Sequence, residues 1–306
     1  FDFWFLVAPG VSVVFFFAIS GFLIASSLDR DDNLISFVFR RALRIYPTLW
    51  IAILVPIVLY CITGFLQVDI KDLIISLPVE FLTGISLHAF DTPTGGLGNG
   101  SLWTISVQIQ FYILIAVLWK PMKMLSTKVW VSILFSGVVL SCMDDAIMQY
   151  SNPFTKIYGY TAIPYLYIFF LGAFLYLQRK KYIPWLKEHW KVLLFIFFLW
   201  HWGSELLGID KILPGKYINV FTGVFATVVV IATGFGMGKI RFKHDISYSL
   251  FLWHMPIIDI LRLIGGIENS IFLFCVSMIV SVLVAILSCR FIEEPIIRLK
   301  TKIRRK

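Results

Sequence analysis

Apolar residues in this chain gather into long blocks separated by short polar stretches. The blocks lie at Val7–Ser27, Thr48–Leu66, Ser101–Trp119, Ser126–Met143, Tyr160–Leu177, Val192–Leu207, Tyr217–Gly236, Ile246–Ile264 and Ile271–Cys289. A helix needs roughly 20 largely apolar residues to cross a hydrocarbon core about 30 Å thick. The pattern therefore predicts an all-α, polytopic transmembrane helix bundle with about nine spans. Ile70–His88 is apolar as well, but Asp72, Pro78 and Glu80 interrupt it, which fits an interfacial or re-entrant piece better than a full crossing. No soluble domain, internal repeat or low-complexity linker breaks the pattern, so residues 1–306 read as a single integral-membrane domain.

Composition points the same way. Of 306 residues 59% are hydrophobic and 17% aromatic, and only 15% are charged, outside the usual range of soluble proteins. The net charge of +9 takes its meaning from where the basic residues fall. Leu28–Pro47, Lys120–Lys128, Gln178–Lys191, Lys239–Lys243 and Arg290–Lys306 hold 22 of the 27 Lys and Arg, all on one side of the expected spans. The excess of Lys and Arg marks that side as cytoplasmic, with the C-terminus inside and Phe1 outside. The basic bias is then a topology signal, not a nucleic-acid surface. An odd number of crossings with an external start calls for a cleaved signal or a further span before Phe1. On the outer side, Asp91–Gly100 (DTPTGGLGNG) becomes the main exposed connector.

Cys61, Cys142, Cys275 and Cys289 show neither CxxC spacing nor a His/Cys cluster, so neither a metal site nor a disulfide framework is expected. Candidate chemistry comes instead from polar side chains inside the apolar blocks, where each is costly. His254, in YSLFLWHMPII, lies roughly 12 Å along its span at about 1.5 Å per residue. Pro256 frees backbone carbonyls nearby, which helps build a polar pocket. With an unperturbed pKa near neutrality, His254 suits a general base or a substrate-orienting group; an interhelical hydrogen bond is the plainer reading. His201 has Glu205 one turn on along the same face, as a proton-handling pair or a structural contact. His88, His189 and His244 fall in loops.

In SLWTISVQIQFY, Gln108 and Tyr112 share a helix face and are placed to hydrogen-bond a hydroxylated substrate. Trp103 fits stacking on a sugar or, more simply, the interfacial aromatic belt. In FRRALRIYPTLW, at Phe39–Trp50, Arg40 and Arg44 are four apart and Arg41 flanks the same side. Three guanidiniums on one surface suit bidentate binding of phosphates, although cytoplasmic segments carry basic residues anyway. No Walker loop or dinucleotide fingerprint occurs.

These residues carry a resemblance. PGVSVVFFFAISGFLI at Pro9–Ile24, FRRALRIYPTLW, SLWTISVQIQFY, ISYSLFLWHMPII at Ile246–Ile258 and FIEEPIIRL at Phe291–Leu299 occur in the order found in the acyltransferase 3 family, which the chain resembles over most of its length. That family comprises bacterial multi-span membrane acyltransferases that typically O-acetylate cell-surface glycans. The resemblance implies transfer of an acyl group, usually acetyl from cytoplasmic acetyl-CoA, to a hydroxyl of an extracytoplasmic glycan or lipid-linked oligosaccharide. It implies a place in the bacterial inner membrane. By the same likeness Arg40, Arg41 and Arg44 match the basic motif proposed to engage CoA phosphates, and His254 matches the histidine of the late Trp-His motif.

Two features depart from the family. Its first span carries an arginine and, further along, a histidine regarded as catalytic, and this sequence starts after that span. Gln108 stands where the family commonly has glutamate, so the position keeps hydrogen bonding and loses ionisation. The chemistry requires a base for the acceptor hydroxyl and donors for the oxyanion on the thioester carbonyl. The main base is then expected upstream of Phe1, with His254, Gln108 and Tyr112 lining the pocket. The competing reading is a transporter or glycan-lipid flippase that uses the same polar residues to line a path.

Overall fold

The computed structural model describes residues 9–30, 33–64, 70–85, 99–150, 153–209, 212–216, 218–238, 245–263, 265–267 and 270–296. Expectations placed on Phe1, His88, the loop at 91–98, the basic stretch 239–243, His244 and the tail 297–306 lie outside these residues. Among the described residues the regular structure is entirely helical. In chain order the helices are α1 (Pro9–Arg30), α2 (Leu34–Ile62), α3 (Ile70–Thr83), α4 (Trp103–Met122), α5 (Thr127–Cys142), α6 (Asp144–Met148), α7 (Pro153–Tyr158), α8 (Leu166–Leu177), α9 (Arg179–Leu206), α10 (Val220–Gly236), α11 (Ser247–Leu263) and α12 (Ser270–Ser288).

Every apolar block falls on a helix, and a 3₁₀ turn at Ile163–Tyr165 leads into α8. Among the described residues, five helical stretches are long and apolar enough to cross a membrane: Gly10–Arg30, Leu34–Ile62, Trp103–Met122, Thr127–Met148 and Ile271–Ile296. Large apolar side chains such as Ile35, Val58, Phe135, Phe195, Ile279 and Phe291 are exposed. Such surfaces are a liability in water and the requirement against lipid. Apolarity alone misjudged where some helices begin. α2 starts at Leu34, so Arg40, Arg41 and Arg44 ride on the same continuous helix as the apolar block.

The chain forms two compact units, each built from two separate stretches: residues 1–37 with 107–240, and residues 38–106 with 241–306. In the first unit α8 is the central element. Nearly every residue of LYIFFLGAFLYL is buried, as expected of a helix that is apolar all round. Phe169 stacks on Phe111 of α4 at 4.2 Å, and Phe111 meets Phe17 of α1 edge-on at 5.3 Å. α1 approaches α8 through glycines: a Cβ at Gly21 would meet the Phe169 carbonyl, and one at Gly172 the Ala18 carbonyl, inside contact distance. Small residues that let backbones touch are the usual membrane-helix interface, because lipid provides no apolar drive to bring helices together.

In the second unit α3, at about 1.5 Å per residue, is roughly 21 Å long and falls short of a full crossing. Its last carbonyls, which no helical N–H can reach, are taken by α2: Tyr46 donates to Leu82 O at 3.0 Å and Trp50 to Phe81 O at 3.1 Å. The chain then turns at Gly84, whose φ of 73° suits glycine.

Gly172→Ala sets a methyl group against the backbone of Ala18, which cannot swing aside. It is expected to cost about 1–3 kcal/mol, read as a lower thermal midpoint of the detergent-solubilised protein. Gly234→Ala, with nothing within 4 Å, does not lower that midpoint.

Candidate functional site

The basic motif and the late histidine both lie in the second unit, on α2 and α11. At the start of α11, Asp245 accepts from the Ser247 N–H at 3.2 Å and its hydroxyl at 2.6 Å, and pairs with Arg44 at 3.2 Å. Burial works to raise the Asp245 pKa, but the Ser247 hydrogen bonds and the Arg44 charge outweigh it and hold the carboxyl below the usual carboxylate range. That pairing is therefore present at neutral pH and lost on acidification. Arg44 is thus engaged with a carboxylate, while Arg40 and Arg41 are half-buried on the same helix. One turn on, Tyr248 donates to Ile45 O at 2.9 Å.

Behind this end lies a buried polar group that the sequence reading did not single out. The backbone winds as a π-helix over Cys289–Glu293, a local underwinding frequent at functional sites. Glu293 there accepts a short hydrogen bond from Ser249 of α11, and Ser249 lies 2.9 Å from Ser288. A hydroxyl has one hydrogen, so Ser249 donates to Glu293 and accepts from Ser288.

Further along α11, Pro256 has no N–H, which leaves the carbonyl four residues earlier, Leu252, without a helical partner. The Asn99 amide donates to that carbonyl at 2.8 Å. Asn99 Oδ1 in turn accepts from the N–H and hydroxyl of Ser101, at 3.2 and 2.6 Å. Asn99, near the far end of the Asp91–Gly100 connector, is therefore tied to α11, while Gly100 beside it is exposed. His254 Nδ1 sits 2.7 Å from Phe251 O. A carbonyl only accepts, so Nδ1 carries the proton and Nε2 is left as the basic nitrogen. This is the orienting bond that a histidine base requires.

A cleft in the same unit is lined by Ala52, Ile53, Pro56, Ile57 and Tyr60 of α2, Glu80 of α3, Asn99 and Leu102. Glu80 is 5% exposed and Tyr60 1%. Neither Glu80 Oε2 nor the Tyr60 hydroxyl has a hydrogen-bond partner.

Gln108 and Tyr112 belong to the first unit, on α4. Gln108 is 1% exposed with both amide atoms unpartnered, and the Tyr112 ring meets Phe37 edge-on at 6.2 Å. Gln110 has a structural part: its amide donates to Tyr160 O at 2.7 Å and accepts from Ala162 N at 2.9 Å. His201 stacks on Phe197, and neither ring nitrogen has a hydrogen-bond partner. Glu205 is exposed, so the expected pair is not formed. Its spacing was right for one face, but that face ends at the surface.

Helices of this apolarity mark a multi-pass membrane protein. Residues 2–290 match the acyltransferase 3 family, described as an acyltransferase domain, and the chain belongs to that family. Nodulation protein 10 of Rhizobium leguminosarum bv. viciae is 29% identical over 97% of this chain and 84% of its own length. The O-acetyl transferase of Shigella phage Sf6 is 26% identical over 82% of this chain and 74% of its own. No solved structure matches the chain. Family membership makes the chain an acyltransferase and sets that class above the transporter reading.

Two substitutions separate the buried polar group from the exposed one. Glu293→Ala strips the buried Ser249 hydroxyl of its acceptor and is expected to cost about 1–3 kcal/mol. Arg44→Ala breaks a largely exposed pair and costs about 0–1 kcal/mol. Thermal unfolding in detergent at neutral pH compares them.

Proposed function

We propose that the protein is an O-acetyltransferase of the bacterial inner membrane that moves acetyl from cytoplasmic acetyl-CoA to a hydroxyl of an extracytoplasmic cell-surface glycan or lipid-linked oligosaccharide. In this reading residues 1–306 form one membrane domain with about nine crossings and a cytoplasmic C-terminus. The name of the phage relative, an O-acetyl transferase, supports the acetyl group and the oxygen acceptor. The observation that carries the reading is the Nδ1 bond of His254 to Phe251 O, which leaves Nε2 able to take a hydroxyl proton, so this reading gives His254 the part of base first expected upstream of Phe1.

Arg40, Arg41 and Arg44 offer guanidinium groups to the phosphates of CoA, with Arg44 held in place through Asp245. Acetyl-CoA is a co-substrate that supplies the thioester. Gln108 and Tyr112 line the acceptor path as neutral hydrogen-bonding groups. Gln108 fits this part because its two amide atoms are buried and unpartnered, ready for a hydroxylated guest.

His254→Ala is expected to lower acetyl transfer by roughly 100-fold to 10,000-fold, followed as O-acetyl signal in the surface glycan of expressing cells. Unchanged O-acetylation would remove His254 from the chemistry. The double substitution of Arg40 and Arg41 by Ala is expected to weaken acetyl-CoA binding by about tenfold or more while membrane insertion stays intact. Calorimetry on the purified protein reads the first and membrane fractionation the second.

A further inference from the structure

The cleft lined by Tyr60, Glu80 and Asn99 contains unsatisfied polar atoms in an apolar wall. Ala52, Ile53, Pro56, Ile57 and Leu102 form the rest of its lining. A buried hydroxyl or carboxyl without a partner is expensive, so such groups point to a guest that completes them. Glu80 forms no ion pair among the described residues, and burial raises its pKa from the usual carboxylate range to about 7, which favours the neutral acid. Tyr60, a phenol with an ordinary pKa of about 10, keeps its proton at neutral pH. Asn99 commits one amide hydrogen to Leu252 O and has a second available. The cleft therefore gathers three neutral side chains able to donate.

We propose that this cleft is the oxyanion site of acyl transfer, in which Tyr60, protonated Glu80 and Asn99 hold the carbonyl oxygen of the thioester. A carboxylic acid kept neutral by an apolar site beside a tyrosine hydroxyl makes an effective pair of oxyanion donors. The inference rests on the acyl-CoA reading above. When the acceptor hydroxyl attacks, a new C–O bond forms and the acceptor proton passes to His254 Nε2. The π electrons of the carbonyl move onto its oxygen, where the three donors meet the new negative charge. Collapse re-forms C=O and breaks the C–S bond, and the departing thiolate takes the proton from His254. Asn99 ties this cleft to the base, because its amide is bonded to the 251–254 turn of α11 that also orients His254.

The test uses purified full-length protein with acetyl-CoA as the probe, following release of the CoA thiol, with acetyl passing to water when no acceptor is present. Tyr60→Phe removes one oxygen atom and leaves no void. It and Glu80→Ala are each expected to lower kcat by roughly 100-fold to 1,000-fold while KM for acetyl-CoA stays unchanged. Glu80→Gln keeps an N–H donor and restores most of the rate lost in Glu80→Ala. Wild-type rates in Tyr60→Phe and Glu80→Ala would overturn the site. So would a Glu80→Gln variant as slow as Glu80→Ala, because the carboxyl would then be working as a base. A wild-type protein that releases no thiol overturns the acyl-CoA reading and this site with it. Rates are compared per folded molecule, by helical circular dichroism.

Discussion

In hydrocarbon a backbone carbonyl without a partner has no water to fall back on, and the second unit is organised around meeting that demand. Pro256 strips Leu252 of its helical donor, and Asn99 supplies one from a segment 153 residues away in sequence. The end of α3 leaves further carbonyls open, and Tyr46 and Trp50 of α2 take two of them. Tyr248 adds a further bond, to Ile45 O inside α2. Each of these bonds also fixes a direction. Asn99 cannot reach Leu252 without placing the 99–102 turn against α11, and α3 cannot be capped by α2 without bringing Glu80 into the cleft that Tyr60 lines.

The first unit solves its packing differently. α1 and α8 meet at Gly21 and Gly172, close enough that backbone lies on backbone, and the gap alongside is filled by Phe17, Phe111 and Phe169. Two of its ion pairs sit at helix ends. Asp29 accepts from Tyr176 at 2.9 Å and pairs with Arg179, and Lys216 meets Asp144, the first residue of α6, at 3.3 Å. Shape does in this unit what capped carbonyls do in the other, which fits a lipid setting where apolar contact alone gives helices little reason to associate.

Which parts of this were legible in the sequence follows from the range of the interaction involved. The helices were legible because apolar blocks are a local signal, and α3 was set apart by Asp72, Pro78 and Glu80. The orphan carbonyl was legible from Pro256 alone, since the rule linking a proline to the residue four before it is local. Its partner was not, because nothing near Asn99 says which carbonyl it will meet. The same limit applies to Arg44. Three arginines on one face read as a phosphate site, but Asp245 lies 201 residues on and claims one of them. Ser249, Ser288 and Glu293 were missed because a π-helical turn, not visible in the regular helical period, sets where Glu293 lies. An Asp-x-Ser at the mouth of a predicted helix was the signal that would have found Asp245 as a cap.

The placement of charge fits the acyl transfer proposed above. Arg44 and Asp245 meet where both are substantially exposed, so their pairing carries little desolvation cost. Deeper, the groups that face the unsatisfied cleft are a phenol, an amide and a carboxyl without a counter-charge, and the histidine is held with its proton on Nδ1. A resting site built from neutral donors avoids the cost of holding an ion in an apolar wall. In the oxyanion role proposed for this cleft, negative charge arises only while the thioester carbonyl is tetrahedral, and in a low-dielectric cleft fixed dipoles act on it far more strongly than they do in water. The substrate carbonyl in its ground state gains much less from the same donors. The difference between those two interactions, and not the tightness of either, is what such a cleft contributes to the rate.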